Sequence, residues 1–342
     1  FIIGIDALSV QPKEPVQTLS WQDIAKSTPG TSARDGAESL SRTDTACIIY
    51  TSGTGGAPKG VLLSHGALLH NCAASADAIE PLGLEGNVFL SFLPLSHSYE
   101  HMAGQFFPVC IGAQIYYAEG VETLSTNMLE ARPTIMTAVP RLYEMMHGRI
   151  LAGVQNAGGL KEKMFMKTLE LGTRKFQSPG SLGIVGGMLD TLLDRLVREK
   201  VRGRFGGRLK ALVSGGAPLN PDIGMFFTAL GLTILQGYGQ TESAPLISVN
   251  RPGNVKIETV GPIVRDTEGK IAEDGEILAR GELLMLGYWG NEEATNETII
   301  DGWLHTGDIG EFDADDHLKI TDRKKDIIVN SGGDNLSPQR VE

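Results

Sequence analysis

The stretch Tyr50-Thr51-Ser52-Gly53-Thr54-Gly55-Gly56-Ala57-Pro58-Lys59-Gly60 follows an apolar run at residues 46–50 that reads as a buried strand. A strand thus runs into a loop with three hydroxyls, three glycines and one lysine. Glycines let backbone N–H groups approach an anion, the hydroxyls of Thr51, Ser52 and Thr54 donate further bonds, and the Lys59 ammonium neutralises phosphate charge. The segment reads as a phosphate-binding loop, with a solvated glycine turn as the plain alternative. It is not the nucleotide-hydrolase loop G-x-x-x-x-G-K-[ST], because Pro58 stands where Gly is required and Gly60 where Ser or Thr is required.

Outward from this loop, short apolar runs alternate with helical patterns. Strands are expected at residues 88–92, 114–117, 134–139, 209–214 and 233–235, with a helix over 188–201 whose apolar residues recur every three or four positions. Asn220-Pro221, residues 223–230 and Gly231 supply the cap, first-turn proline and terminal glycine of another helix. Alternation of this kind predicts an α/β fold with a mostly parallel, helix-flanked sheet. After residue 255 the texture changes to short strand-like runs at 255–260, 275–280, 283–289 and 317–321, separated by Gly/Asp turns, which predicts an antiparallel, barrel-like β subdomain. Residues 9–43 are polar and rich in Pro, Ser, Thr and Gly, with one short helix near 20–26 capped by Ser20.

The chain of 342 residues is 41% hydrophobic and 21% charged, enough apolar matter for a sizeable core, which excludes a disordered tail, a collagen-like fibre and a disulfide-stapled mini-protein. With 30 Lys+Arg against 41 Asp+Glu the net charge is −11, so no whole-protein positive field for nucleic acid exists. The three cysteines, Cys47, Cys72 and Cys110, form no C-x-x-C pair and point to a reducing compartment, hence a cytoplasmic protein. No apolar run approaches the ~18–20 residues of a membrane helix. Both ends read as cut: Phe1-Ile2-Ile3-Gly4-Ile5 resembles the inside of a strand, and the chain stops at Glu342 just after a Gly-rich turn.

Four further motifs follow the loop in order: Ser214-Gly215-Gly216-Ala217-Pro218-Leu219; Gln236-Gly237-Tyr238-Gly239-Gln240-Thr241-Glu242-Ser243; Gly302-Trp303-Leu304-His305-Thr306-Gly307-Asp308; and Asp322-Arg323-Lys324-Lys325-Asp326 ahead of Ser331-Gly332-Gly333. Together with Thr51–Gly60 this series closely resembles the adenylate-forming superfamily of acyl-CoA synthetases, luciferases and peptide-synthetase adenylation domains. Gly55 departs from that pattern, where Thr is common. The resemblance spans roughly residue 44 to the end. It implies an acyl-CoA synthetase-like large domain divided at 1–43 (part of a truncated N-terminal region), 44–254 (α/β nucleotide and acyl part), 255–321 (antiparallel β subdomain) and 322–342 (hinge and start of a missing C-terminal domain).

The resemblance also implies roles. Thr51, Ser52, Gly53, Thr54, Gly55, Gly56 and Lys59 would hold the pyrophosphate of ATP. Gly216, Ala217 and Pro218, with Gln236, Gly237, Tyr238, Gly239 and Gln240, would bracket adenine. Thr241 would meet the α-phosphate and Glu242 the Mg²⁺, an ion that takes one or two carboxylates plus phosphate oxygens; read alone, Glu242 is an ordinary acid at a helix N-terminus. Asp308, after a glycine in a turn, and Arg323 would contact ribose, and Lys325 matches the hinge position.

His97-Ser98-Tyr99-Glu100-His101 matches H-x-x-E-H, an inverted zinc-protease pattern. The preceding Phe92-Leu93-Pro94-Leu95-Ser96 instead makes it look like the family's acyl-end segment, with His97 near the substrate carboxylate and His101 in packing. The aromatic and apolar residues between Phe92 and Phe107 are expected to line an acyl tunnel, so that Gly104→Trp would shorten it. Residues 94–101, 137–144 and the long helical stretch 151–209 resemble the long-chain fatty acyl branch, implying fatty acid, ATP and CoA as substrates and an acid–thiol ligase as the activity. An adenylating ligase for an aryl, medium-chain or amino acid, or a non-catalytic nucleotide-binding homologue, would share the nucleotide motifs. Arg195, Arg198, Lys200, Arg202, Arg204, Arg208 and Lys210 cluster in an otherwise acidic chain; a solvated helix face is the reading adopted, and peripheral contact with a membrane surface is the other.

Overall fold

The computed structural model describes residues 2–4, 18–26, 36, 38–51, 58–324, 328–329 and 335–336. The chain forms two compact units, Phe1–Arg42 and Thr43–Glu342. In the first, β1 (Ile2–Gly4) and β2 (Thr18–Ser20) pair in parallel, and α1 (Trp21–Lys26) begins at Ser20, whose hydroxyl accepts the Asp23 N–H at 3.1 Å as the sequence predicts.

The second unit opens on a hairpin of β3 (Thr45–Thr51) and β4 (Lys59–Ser64), followed by α2 (His65–Ile79), which Ser64 caps by accepting from Ala67 N–H. Next come β5 (Val88–Ser91), β6 (Gln114–Tyr117), α3 (Leu124–Ala131) and β7 (Ile135–Ala138). Three helices follow, α4 (Pro140–Ala157), α5 (Gly159–Gln177) and α6 (Gly183–Leu193), the last continuing through a π turn at Asp194–Arg198 into Glu199–Arg204. β8 (Ala211–Ser214), α7 (Pro221–Ala229), β9 (Ile234–Gly239) and β10 (Leu246–Val249) complete the α/β part. Asn220 caps α7 and Pro221 starts it, as its sequence requires. The remaining strands are β11 (Thr267–Ile271), β12 (Glu276–Gly281), β13 (Gly287–Tyr288), β14 (Ile299–Ile300), β15 (Trp303–Phe312), β16 (Leu318–Arg323) and a short antiparallel pair, β17 (Ile328–Val329) and β18 (Asn335–Leu336).

The main sheet has six strands in the order β10-β9-β8-β7-β5-β6, parallel except for β10 at one edge. Side chains alternate across it, so neighbours in sequence enter opposite layers. Leu90, Met136, Leu212 and Ile234 pack with Tyr143, Phe226 and Phe227 on one side. Phe89, Ile135, Ala211 and Leu235 pack with Cys72, Ala78, Met102 and Phe107 on the other. Both faces are covered, which is why β5 and β7 read as largely apolar runs, broken only by Ser91 and Thr137, and are buried throughout. The chain runs from β5 out to β6 and then returns to the far side of β5 for β7, so the order reverses there, and such switch points open a crevice beyond the strands' carboxyl ends.

Two antiparallel sheets stand beside this one: β11-β12-β15-β14 with β16 on β15, and β13-β4-β3. Several sequence expectations change here. The strand at 46–50 belongs to the second of these sheets, not to the parallel one, and the two strands that flank the expected phosphate loop pair with each other as a hairpin. β4 hides in a motif that reads as loop, because glycine and lysine weaken its strand signal. The expected strand at 255–260 is a turn region, whereas β11 and the ten-residue β15 were not foreseen as strands. Asp308 accordingly lies within β15 rather than in a turn.

Candidate active site

The carboxyl ends of β7, β8 and β9, the β3–β4 hairpin and the β12–β15–β16 sheet converge on a cavity of about 1170 Å³. Its walls bring together Thr51, Lys59, His97, Gly216, Gly237, Tyr238, Gly239, Gln240, Thr241, Glu242, Asp308 and Arg323, residues spread over most of the sequence. Ser52, Gly53, Thr54, Gly55 and Gly56 lie outside the described residues, as do Lys325 and the Ser331-Gly332-Gly333 turn. Ala217 and Pro218 are exposed and are not among the lining residues. Gln236 is buried behind the wall, where its side chain donates to Ile257 O and accepts the Leu219 N–H, tying the 214–219 turn to β9.

Three polar groupings shape one end of the cavity. In the first, the Tyr238 hydroxyl donates to Asp308 Oδ2 at 2.7 Å, and Arg323 Nε stands 3.5 Å from Asp308 Oδ1, across paired positions of β15 and β16. Burial, reinforced by the Asp308 carboxylate, holds the Tyr238 phenol well above its ordinary pKa, so it remains a neutral donor. In the second, the Tyr288 hydroxyl donates to Glu242 Oε1 at 2.7 Å while the Lys59 ammonium sits 4.7 Å from the centre of the same ring. Burial first and Glu242 second push the Tyr288 phenol upward too. β13 is drawn to this place because Met285 N–H donates to Glu242 O and Leu286 N–H to Leu62 O of β4.

The third grouping centres on Glu276, which is 3% exposed. Its carboxylate accepts from Lys324 Nζ at 2.8 Å and Gly307 N–H at 2.8 Å, and lies 3.0 Å from His305 Nδ1. Burial alone would raise this carboxyl, but the Lys324, His305 and Gly307 contacts outweigh it and hold it below the ordinary glutamate value. Lys324 also reaches Asp274 at 2.7 Å, so both acids raise its affinity for its proton.

Thr241 and Glu242 follow β9 on a single 3₁₀ turn that begins after Gln240. The turn can form because Gly239 lacks a side chain: a Cβ there would stand 1.7 Å from Pro245 O. Asn71, wholly buried on α2, holds both arms of the turn, donating to Ser243 O at 3.1 Å and accepting Leu246 N–H at 2.7 Å. Across the cavity the Thr241 and Ser98 hydroxyls are 3.0 Å apart, which joins the 97–98 segment to the acid-bearing turn.

His97 lines the cavity and caps the short helix Ser98–Glu100, its Nδ1 accepting the Tyr99 N–H at 3.3 Å. With Nδ1 an acceptor, the neutral ring carries its proton on Nε2. The three side chains of the H-x-x-E-H pattern have separate tasks. Glu100 turns inward to Ser91 at 2.5 Å and Thr137 at 2.8 Å, and His101 Nδ1 contacts Leu95 O at 3.1 Å. Burial pushes the Glu100 carboxyl up, and the two hydroxyls oppose part of that shift.

From His97 and Ser98 the cavity continues along the α2 side of the sheet between Ile79, Phe89, Met102, Phe107, Ile135 and Val249. Of the stretch expected to line a tunnel, Tyr99, Met102, Ala103 and Phe107 do so. Phe92 packs toward the opposite layer, and Leu95 and Phe106 are exposed. Gly104 faces Glu100, not the cavity: a Cβ there would lie 2.4 Å from Glu100 Oε1, so Gly104→Trp would disrupt packing rather than shorten a tunnel.

Sequence reasoning missed Asn71, Ser98, Glu276, Tyr288 and Lys324. Tyr288 and Glu276 sit in strand-like runs with no motif of their own, and Asn71 is one polar residue on a mostly buried helix, a signal available only as an oddity of pattern.

Comparison with known proteins supplies the family. The family described as AMP-binding enzyme matches residues 2–289. A long-chain-fatty-acid–CoA ligase, FadD15 of Mycobacterium tuberculosis, is 37% identical over 308 residues, covering 89% of this chain and 50% of that protein. Long chain acyl-CoA synthetase 6, peroxisomal, of Arabidopsis thaliana is 35% identical over 316 residues, covering 87% of this chain and 44% of its own. The chain thus spans about half the length of these curated relatives. Among solved structures, O-succinylbenzoate coenzyme A synthetase (MenE) from Bacillus subtilis in complex with ATP and magnesium ion superposes with a TM-score of 0.67 at 24% identity, over 96% of this chain and 59% of that one. Apo MatB from Rhodopseudomonas palustris gives 0.65 at 24% identity, over 88% and 52%. The shared fold, the cavity at the switch point and a family match over most of the sequence lead to one conclusion: the chain belongs to the AMP-binding enzyme family.

Proposed function

We propose that this chain forms the nucleotide- and acyl-binding part of a long-chain fatty acid–CoA ligase. In the first half-reaction a fatty carboxylate attacks the α-phosphorus of ATP, giving acyl-adenylate and pyrophosphate; in the second the CoA thiol displaces AMP. The observation that carries this reading is the two-ended cavity. One end holds Lys59, Thr241, Glu242, Asp308 and Arg323, groups suited to phosphates and ribose, and the other is lined by Ile79, Phe89, Met102, Phe107, Ile135 and Val249, suited to an alkyl chain. The named relatives above support the choice of fatty acid. The sparse free cysteines suit a cytoplasmic setting. Among the described residues no helix is long and apolar enough to cross a membrane.

Each group then has a task. Lys59, held over the Tyr288 ring, supplies positive charge to the pyrophosphate. Asp308 accepts from ribose hydroxyls while Tyr238 and Arg323 fix its carboxylate. Thr241 donates toward the α-phosphate, and His97 offers Nε2–H to the incoming carboxylate. Glu242 with Thr241 would hold Mg²⁺, and an oxygen-only donor set beside a phosphate site fits that ion. Bound there, Mg²⁺ supplies charge neutralisation at the phosphates. The protein's part is positioning and electrostatic stabilisation, with no covalent enzyme intermediate.

Titrating non-hydrolysable acyl-adenylate analogues of increasing chain length tests the acyl assignment. Each added CH₂ buried should gain ~0.8 kcal/mol until the cavity ends; affinity independent of chain length, or highest for aryl or aminoacyl analogues, would refute it. Glu242→Gln should weaken Mg²⁺·ATP binding far more than metal-free AMP binding, and equal losses would leave Glu242 a structural role.

A further inference from the structure

Helix α6 is built with its faces exchanged. Inward it turns Asp190, which pairs with Arg198 from the following π turn at 2.7 Å, both side chains 6% exposed. Arg198 also donates to Ala229 O at 2.7 Å and Thr168 O at 3.2 Å, so polar contacts anchor the helix to α5 and α7. Burying an ion pair carries a desolvation cost that an apolar pair would not. Outward α6 presents Ile184 at 85%, Val185 at 81%, Met188 at 71% and Leu192 at 53% exposure, with Leu189 and Leu196 also exposed. Their spacing of four, one and three residues places all six on one helical face. An apolar stripe this long on a solvent-facing helix marks a surface with a partner.

Charge selects the partner. Between residues 159 and 210 the chain carries twelve basic and five acidic residues, against a net charge of −11 for the whole. Arg198 and Arg202 are taken up by Asp190 and Asp194, which corrects the expectation of a uniformly solvated basic face. Arg195, Lys200, Arg204 and Arg208 are exposed at the far end of the stripe, with Glu199 the exposed acid among them. An apolar helix face continued by basic residues is the pattern that lies in the boundary of an anionic bilayer, apolar side chains among the acyl groups and cations at the headgroups.

We propose that the outer face of α6, from Ile184 to Leu196, with Arg195 and Lys200 beside it, is a docking surface for an anionic lipid membrane. It stands independently of the proposed reaction, because none of these residues lines the cavity.

Co-sedimentation of the full chain with phosphatidylcholine vesicles, with and without roughly a third of phosphatidylglycerol, tests it. The chain should partition to the anionic vesicles, and less so as salt rises. Ile184→Gln, Val185→Gln and Met188→Gln together should lower partitioning at least ~10-fold, as these side chains would leave the acyl region. Independently, Arg195→Glu with Lys200→Glu should lower it at least ~30-fold, since each of the two cations lost from an anionic surface contributes about 1 kcal/mol. Thermal unfolding should be unchanged in both variants, the altered side chains being exposed. No partitioning, equal partitioning to neutral vesicles, or binding that survives both variants overturns the proposal. A concentration-dependent dimer in light scattering that the glutamine variant dissolves would also overturn it, assigning the face to a second copy of the chain.

Discussion

Replacing Glu276 by Gln keeps the side chain's shape and removes its charge at the point where β12, β15 and the end of β16 meet. An amide can still accept the Gly307 N–H, but it sets an –NH₂ or a weaker acceptor against Lys324 Nζ at 2.8 Å and His305 Nδ1 at 3.0 Å. Hydrogen bonds to a charged group are worth ~1.5–3 kcal/mol. Lys324 is 46% exposed in its side chain and retains Asp274 at 2.7 Å, so its share is screened and discounted. The net loss should be ~1–2 kcal/mol, or a fall in Tm of roughly 2–8 °C. The pH dependence has a definite sign. Because the folded-state carboxyl lies below the ordinary glutamate value, its stabilisation is present above ~4.3 and is lost as pH falls through the lower folded value. The Tm gap between wild type and variant should therefore be constant from neutral pH into the mildly acidic range and close at stronger acidity. Thermal unfolding followed by circular dichroism across pH measures this. AMP affinity, titrated at neutral pH, should fall severalfold because Gly307 leads directly into Asp308. A variant with wild-type Tm at neutral pH and wild-type AMP affinity would refute the reasoning.

Tyr238→Phe keeps the ring and removes the donor to Asp308, so AMP or acyl-adenylate-analogue affinity should drop about tenfold, one hydrogen bond to a charged acceptor, with little change in fold by circular dichroism. Asn71→Leu leaves the buried Ser243 C=O and Leu246 N–H without their partner at ~1–3 kcal/mol each, which a lower denaturant midpoint would register; an unchanged midpoint would mean the turn finds other partners. Gly104→Ala should destabilise by ~1–3 kcal/mol in the same assay, since the new Cβ displaces Glu100 from Ser91 and Thr137.

By itself the sequence determined the parallel α/β core and most of the site's chemical groups. Runs such as Ile135–Ala138 are apolar because both faces are covered, and the cap and proline at Asn220-Pro221 mark a helix end without help from the rest of the chain. Lys59, Thr241, Glu242, Asp308 and Arg323 were singled out because each lies in a short motif that resembles one family's pattern, and the cavity gathers all five. Only the tertiary structure could pair β4 with β3 and β13, because hairpin register depends on contacts that glycine and lysine do not announce. It alone brought Tyr288 onto Glu242, 46 positions apart, and Lys324 onto Glu276, 48 positions apart. It also reassigned Gly104 from the cavity to packing against Glu100 and turned α6 so that its ion pair faces inward and its apolar residues outward. Local pattern encodes which residues are apolar and which backbone geometry they prefer. What each side chain faces is set by long-range packing, and there the structure overruled the period of the sequence.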